Sequence, residues 1–366
     1  MGHGAHWDSG GLTGWAHVRR HSAIVPQTTG IVIVPLRMNQ APSAHRRWRR
    51  RVTIGAVVFA CVLSLGTIPL ARLGEAQDLT PRAYLITPTG SNAVIVTDVY
   101  NDGDLNFEGT VPIEDATSRI NMLAIGVYRS LGVFGRSANI NIVLPYGTGS
   151  FEGTVLASPY TTDRSGLFDI PVRFAVNLAG GPAMDVGEWS KWRQKTLLGA
   201  SLKLVVPVGQ YDPTNLINLG SNRWAFKPEL GLSHRHGHWI VDAYGAGWFF
   251  TKNPEFFSNN QYYSGTRAQT QDPIGILEMH LSYDLRPRLW VSLDGNFWTG
   301  GETSLDGVAN PKTLQKSSRV GLTASLPLTT HQSAKLGFAS GAYARFGGDY
   351  TIYSVAWQYS WVSRAR

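Results

Sequence analysis

The ionisable residues that could do chemistry in this sequence sit inside runs that alternate polar and apolar. Arg223, Lys227 and Glu229 share the parity of one run, and Glu278, His280 and Asp284 share that of another. Lys203, Asp294, Arg319 and Arg345 hold the polar parity of four more. Alternation at period two sends every second side chain to the same face of a strand, so these charges all belong to one face. Opposite charges facing one another across a narrow interior pair into a plug-like network or line a constriction. That is electrostatic work, without bond making or breaking. Arg319 and Asp294, on consecutive runs, are expected to belong to one such network.

Catalytic patterns are missing where they would be diagnostic. Gly147, Gly149 and Gly153 follow a run, yet their spacing is not that of a dinucleotide fingerprint and no helical period follows. No Gly-x-Ser-x-Gly elbow occurs. His234, His236 and His238 stand at the alternating spacing of a metal-binding strand, but Gly237 interrupts them, so a polar turn is expected there. His280 is the one histidine in the middle of a run. The single cysteine, Cys61, lies in an apolar stretch near the start, which removes disulfides and thiolate sites from everything after it. No catalytic, cofactor or metal site is expected.

The formal charge of +8 is a property of the beginning of the chain. Nine arginines and two acids precede Gln77, leaving 24 basic and 23 acidic residues after it. A near-neutral body carries no nucleic-acid footprint. Residues 45–51 are strongly basic, Val52 to Ala71 carries no charge, and Gly74 and Ala76 flank Glu75. That is the pattern of a secretory signal peptide cleaved before Gln77. Residues 38–76 are therefore expected to be the signal peptide, residues 1–37 an over-extended start, and residues 77–366 the working domain.

That domain has no apolar stretch long enough for a membrane helix. It reads as twelve alternating runs, near 92–101, 119–131, 136–146, 166–179, 194–207, 222–235, 238–251, 274–285, 288–298, 317–328, 332–345 and 350–362. Their connections largely alternate long and short. An even strand number, with tight turns at one end and long loops at the other, is the signature of an outer-membrane barrel. The expected fold is all-β, a transmembrane antiparallel up-and-down barrel of about twelve strands, apolar outside and charged inside. Trp239, Trp248, Trp290, Trp298, Trp357, Tyr359 and Trp361 lie near run ends, where interfacial girdles are expected.

The stretch from Tyr211 to Glu229 resembles the "MetA-pathway of phenol degradation" family of outer-membrane barrels. So do Gln271 to Ile274, His280 to Trp290, and Gly300 to Glu302 with Asp306 and Gly307. The likeness extends over roughly residues 82–362. It implies a barrel for passage of hydrophobic or aromatic compounds. The expected function is a passive channel for small molecules; the alternative is a structural or adhesive barrel whose lumen is plugged and whose loops do the work. Expected partners are outer-membrane lipid and lipopolysaccharide, the barrel-assembly machinery and a small-molecule substrate. The tail after Trp361 departs from the terminal aromatic by which such barrels are usually read.

Overall fold

The computed structural model describes residues 80–106, 113–155, 158–344 and 347–363. The sequence's alternation becomes strands β1 (Ser91–Asn106), β2 (Ile113–Val133), β3 (Arg136–Val155), β4 (Ser158–Leu167), β5 (Ile170–Ala179), β6 (Thr196–Val206), β7 (Ala225–His236) and β8 (Trp239–Phe250). After the short β9 (Gln269–Gln271) come β10 (Ile274–Arg286) and β11 (Leu289–Gly300). The small β12 (Thr303–Leu305) and β13 (Val308–Asn310) precede β14 (Gln315–Pro327), β15 (Gln332–Ala344) and β16 (Gly347–Val362). Each large strand pairs antiparallel with its neighbours, and β16 returns to β1, with Ser91 opposite Val362 and Asn106 opposite Gly347. The sheet closes. β4 and β5 act as one strand broken at Phe168 and Asp169, both pairing with β3, so twelve strands form the wall. Closure leaves no edge, the condition for a sheet to sit in hydrocarbon.

The pleat sorts the faces as the alternation requires. Leu293, Leu322 and Leu230 are each 57–60% exposed on the outside. Asp294, Thr323 and Glu229, one residue away from each, are buried on the inside. Tight turns join the strands at one end of the barrel. In the β2–β3 hairpin both central residues, Phe134 and Gly135, have positive φ, as a type I′ turn demands. Pro287 precedes Arg288, itself at positive φ, in the β10–β11 turn, the pattern of a type II turn. A six-residue helix α1 (Val186–Lys191) lies in the β5–β6 connection, its first turn closed by a reciprocal Asp185–Glu188 capping box. Longer connections gather at the other end, where β9, β12 and β13 form a small sheet of their own.

Two expectations about extent are corrected. Residues 102–118 and 147–165 were expected as loops, yet β1 runs on to Asn106, β2 starts at Ile113, β3 continues to Val155 and β4 begins at Ser158. These extensions carry Gly, Ser, Thr and Asp on both faces, so alternation disappears although pairing continues. The aromatic girdle is also smaller than expected. Trp239, Trp357, Tyr359 and Trp361 are exposed, but Trp248, Trp290 and Trp298 are buried inside the barrel. Trp290 and Trp298 share the face of Ser292, Asp294 and Asn296 on β11, and Trp248 that of Asp242 and Tyr244 on β8, which outweighs nearness to a strand end.

Candidate functional site

The inward side chains of β5 to β11 and β14 make one continuous polar network. Arg173, Lys203 and Lys227 occupy one cross-strand row. Lys227 Nζ lies 2.7 Å from Glu278 Oε1 and 3.2 Å from Glu229 Oε2, and Arg173 reaches the other Glu229 oxygen at 3.2 Å. Further along, Asp294 stands 2.9 Å from His280 Nδ1 and accepts the hydroxyls of Ser292 and Thr323, each at 2.6 Å. Lys227, Glu229, Glu278, His280, Asp294 and Arg319 are all buried. Charges removed from water persist only when paired and hydrogen-bonded, and these strands supply both.

Arg319, Arg223 and Arg345, all expected along the lumen, stand differently from one another. Arg319 sits opposite Asn296 with its guanidinium 6.0 Å from the Trp298 ring centre, while Asp294 lies opposite Gly321. Asp294 takes hydrogen bonds from His280, Ser292 and Thr323. The register is offset by two residues from the one a direct pair would need. Arg223 precedes β7 and does not line the lumen row. Asn222 at positive φ breaks the alternation there, and Arg223 donates to Gln271 while lying 4.5 Å from the Phe250 ring centre. Arg345 lies outside the described residues.

Sequence reasoning gave no role to the residues just before β1. The chain from Pro81 to Gly90 enters the barrel at the end with tight turns and lies against the charged wall. Arg82 Nη1 pairs with Asp284 at 2.7 Å, and its guanidinium lies 4.3 Å from the Trp290 ring centre. Its backbone N–H donates to Asp242, and the Ala83 N–H donates to the Tyr244 hydroxyl, both at 3.1 Å. Tyr84 donates to Glu229 at 2.8 Å. Its ring occupies the space over Gly199 and Gly231, which face one another in the register; a Cβ at either would collide with it. Trp189 of α1 donates to the Ile86 carbonyl from the side. The available signal was weak: a polar-flanked Tyr84-Leu85-Ile86 too short to score as a strand.

The opposite wall differs in kind. On β15, β16 and β1 to β3 the lumen-facing register carries Ala339, Ile352, Ala356, Ile95, Val99, Met122, Ala124, Val143, Pro145 and glycines 126, 147 and 337. Small residues hold the backbone wall back from the axis. At the end with long loops this wall runs into a cavity of about 350 Å³. Phe151, Tyr160, Ile217, Phe257 and Tyr262 give it an aromatic and apolar side, and Glu152, Arg164, Thr162 and Asn260 a polar one. Beside it the 207–224 connection is tied down: Asp169, at the break between β4 and β5, accepts from the Gly209 and Ser221 N–H groups. Asp212 is held below the usual carboxylate range by the hydroxyl and N–H that Thr214 donates to it. Among the described residues no group of three potential ligands could hold a metal ion.

A closed twelve-strand membrane barrel, with paired charges concentrated along one inner wall and its own N-terminal segment inside, defines a channel-type outer-membrane fold. The sequence matches the family described as "Putative MetA-pathway of phenol degradation" over residues 88–355, and the chain belongs to it. Among solved structures it is similar to an outer-membrane channel of Pseudomonas putida F1, at 18% identity and TM-score 0.64, covering 78% of this chain and all of that one. The β domain of the Bordetella autotransporter BrkA follows at 11% identity and TM-score 0.43, covering 74% of this chain and all of that one. The Pseudomonas putida toluene transporter TodX is 10% identical at TM-score 0.39, covering 78% of this chain and 94% of that one. No curated protein sequence matches.

Proposed function

We propose that this protein is a passive outer-membrane channel for small apolar or aromatic molecules. One observation carries the reading: the lumen is divided lengthwise. Its charged wall is paired internally and covered by the N-terminal segment, while the facing wall, apart from Lys335, carries small, apolar and neutral polar residues and runs into a cavity with an aromatic side at one mouth. A cavity of 300–1,000 Å³ with apolar lining suits a small organic molecule. A pore for ions and sugars has no use for such a wall, since hydrated solutes gain nothing from it. In this reading the outward band meets outer-membrane lipid and lipopolysaccharide after delivery by the barrel-assembly machinery. The long loops lie outside the cell, the tight turns face the periplasm, and the mature chain begins near Gln77. No chemical step is assigned.

The N-terminal segment in the lumen favours the second reading, a plugged barrel whose loops do the work. Two measurements on full-length protein separate them. Planar-bilayer recording is expected to show small discrete conductances. Cells making the protein are expected to take up a radiolabelled single-ring hydrocarbon faster than cells lacking it. A folded barrel with neither current nor faster uptake would establish the plug.

A further inference from the structure

One charged residue stands on the uncharged wall. Lys335 of β15 lies opposite Ser325 on one side and Ala356 on the other, and Ala356 lies opposite Thr97, a row that faces the lumen. Its neighbours on that face of β15 are Ser333 and Gly337, with Ala339 beyond. Lys335 is exposed although it faces inward, so its stem and ammonium reach open lumen. Among the described residues no hydrogen bond or ion pair reaches it. The surrounding wall shields it from bulk water, and at longer range Asp294 attracts it while Arg82 repels it. Neither is available as a partner. Asp294 already accepts from His280, Ser292 and Thr323, and Arg82 is held by Asp284.

An unpartnered ammonium beside another cation creates a positive potential inside a narrow, poorly screened space. Lysine is a compact point charge on a flexible stem, able to follow a moving ligand. Its alkyl chain extends the apolar wall and its head supplies a donor. A molecule that matches both has an apolar ring and one oxygen anion.

Resting on the channel reading above, we propose that Lys335 is the specificity-determining residue of the lumen and that the preferred solute is a small aromatic monoanion of the benzoate type. The ring slides along Val99, Met122, Ala124 and Ala356 while the carboxylate is received by the Lys335 ammonium. Association is reversible and no bond is made or broken. A charge-assisted hydrogen bond in such a site corresponds to roughly a tenfold preference.

Reversal potentials under potassium benzoate and potassium acetate gradients, recorded with full-length protein in planar bilayers, test this directly. Each potential reports the permeability of the anion relative to potassium, so the common cation puts the two anions on one scale. The wild type is expected to pass benzoate in preference to acetate, against the order of size. Lys335→Met, which keeps the stem and removes the charge, is expected to lower the permeability of benzoate relative to potassium roughly tenfold, and Lys335→Arg to retain most of it. Heat-modifiable migration on gels shows that each variant is folded, and Lys335→Gln repeats the test should Lys335→Met not fold. A benzoate-to-potassium permeability ratio that is unchanged in Lys335→Met or Lys335→Gln overturns the proposal and leaves the channel standing. A wild-type protein that carries no current overturns the channel reading itself, and this inference with it.

Discussion

Lys227 is the residue on which the charged wall depends most. Its ammonium is shared between Glu278 and Glu229, and all three are nearly excluded from solvent. Lys227→Met keeps the volume and leaves two carboxylates buried side by side. Breaking a buried pair in this way costs about 3–5 kcal/mol, and the urea midpoint of protein folded into vesicles should fall accordingly. Adding Glu278→Gln removes one of the stranded charges, so the double variant should recover part of the loss; additive losses would show that the two side chains do not interact. The outer face obeys the opposite rule. Leu293, 57% exposed, meets lipid, and Leu293→Arg should cost about 2–4 kcal/mol near the midplane. Asp294→Ala, its chain neighbour, instead strands His280, Ser292 and Thr323 inside the lumen. If Leu293→Arg folds like the wild type while Asp294→Ala does no damage, the two faces have been exchanged.

At the scale of elements, the segment from Pro81 to Gly90 is held by pairing and by fit together. Tyr84 needs the bare backbone of both Gly199 and Gly231 to reach Glu229. Gly231→Leu should therefore displace the segment while the barrel closes as before, because an outward-parity sheet does not depend on an inward glycine. Larger single-channel conductance is the expected readout, and Tyr84→Ala should raise it less, since Arg82 keeps its pair with Asp284. Unchanged conductance in Gly231→Leu would show that the segment leaves the path clear. Elements buried on one face only were legible in the sequence. β10 and β11 alternate without interruption, and Glu278, His280 and Asp294, which that alternation puts on one face, are all buried. Legibility failed where both faces see the same environment. The extensions of β1 to β4 are polar on both faces, and the N-terminal segment is enclosed all round, so neither has a period to read. Tryptophan misled for a related reason: a large ring fits lipid headgroups and a packed lumen equally, and only parity distinguishes Trp298 from Trp357.

The whole molecule has two unlike ends, and its orientation follows from them. Phe134 with Gly135, His236 with Gly237, and Pro287 with Arg288 make turns only a few residues long at the end where the N-terminal segment enters. The connections 207–224, 251–273 and 301–314 crowd the other end, carrying a small sheet and the aromatic cavity. Outer-membrane barrels keep short turns on the periplasmic side and longer loops outside, so in the proposed orientation the tight turns face the periplasm and the long connections lie outside. The same arrangement puts the aromatic mouth where solutes arrive and Arg82, Tyr84 and Lys335 further along their route. Asn259, exposed in the longest of these loops, and Gly237, exposed in a tight turn, are the positions that test it. In protein lacking residues before Gln77, and so lacking Cys61, Asn259→Cys on intact cells should react with a membrane-impermeant maleimide. Gly237→Cys should react only after the outer membrane is opened. Both substitutions fall in solvent outside the wall, so neither should disturb closure. Labelling at Gly237→Cys with protection at Asn259→Cys would invert the molecule, and the aromatic cavity would then be an exit.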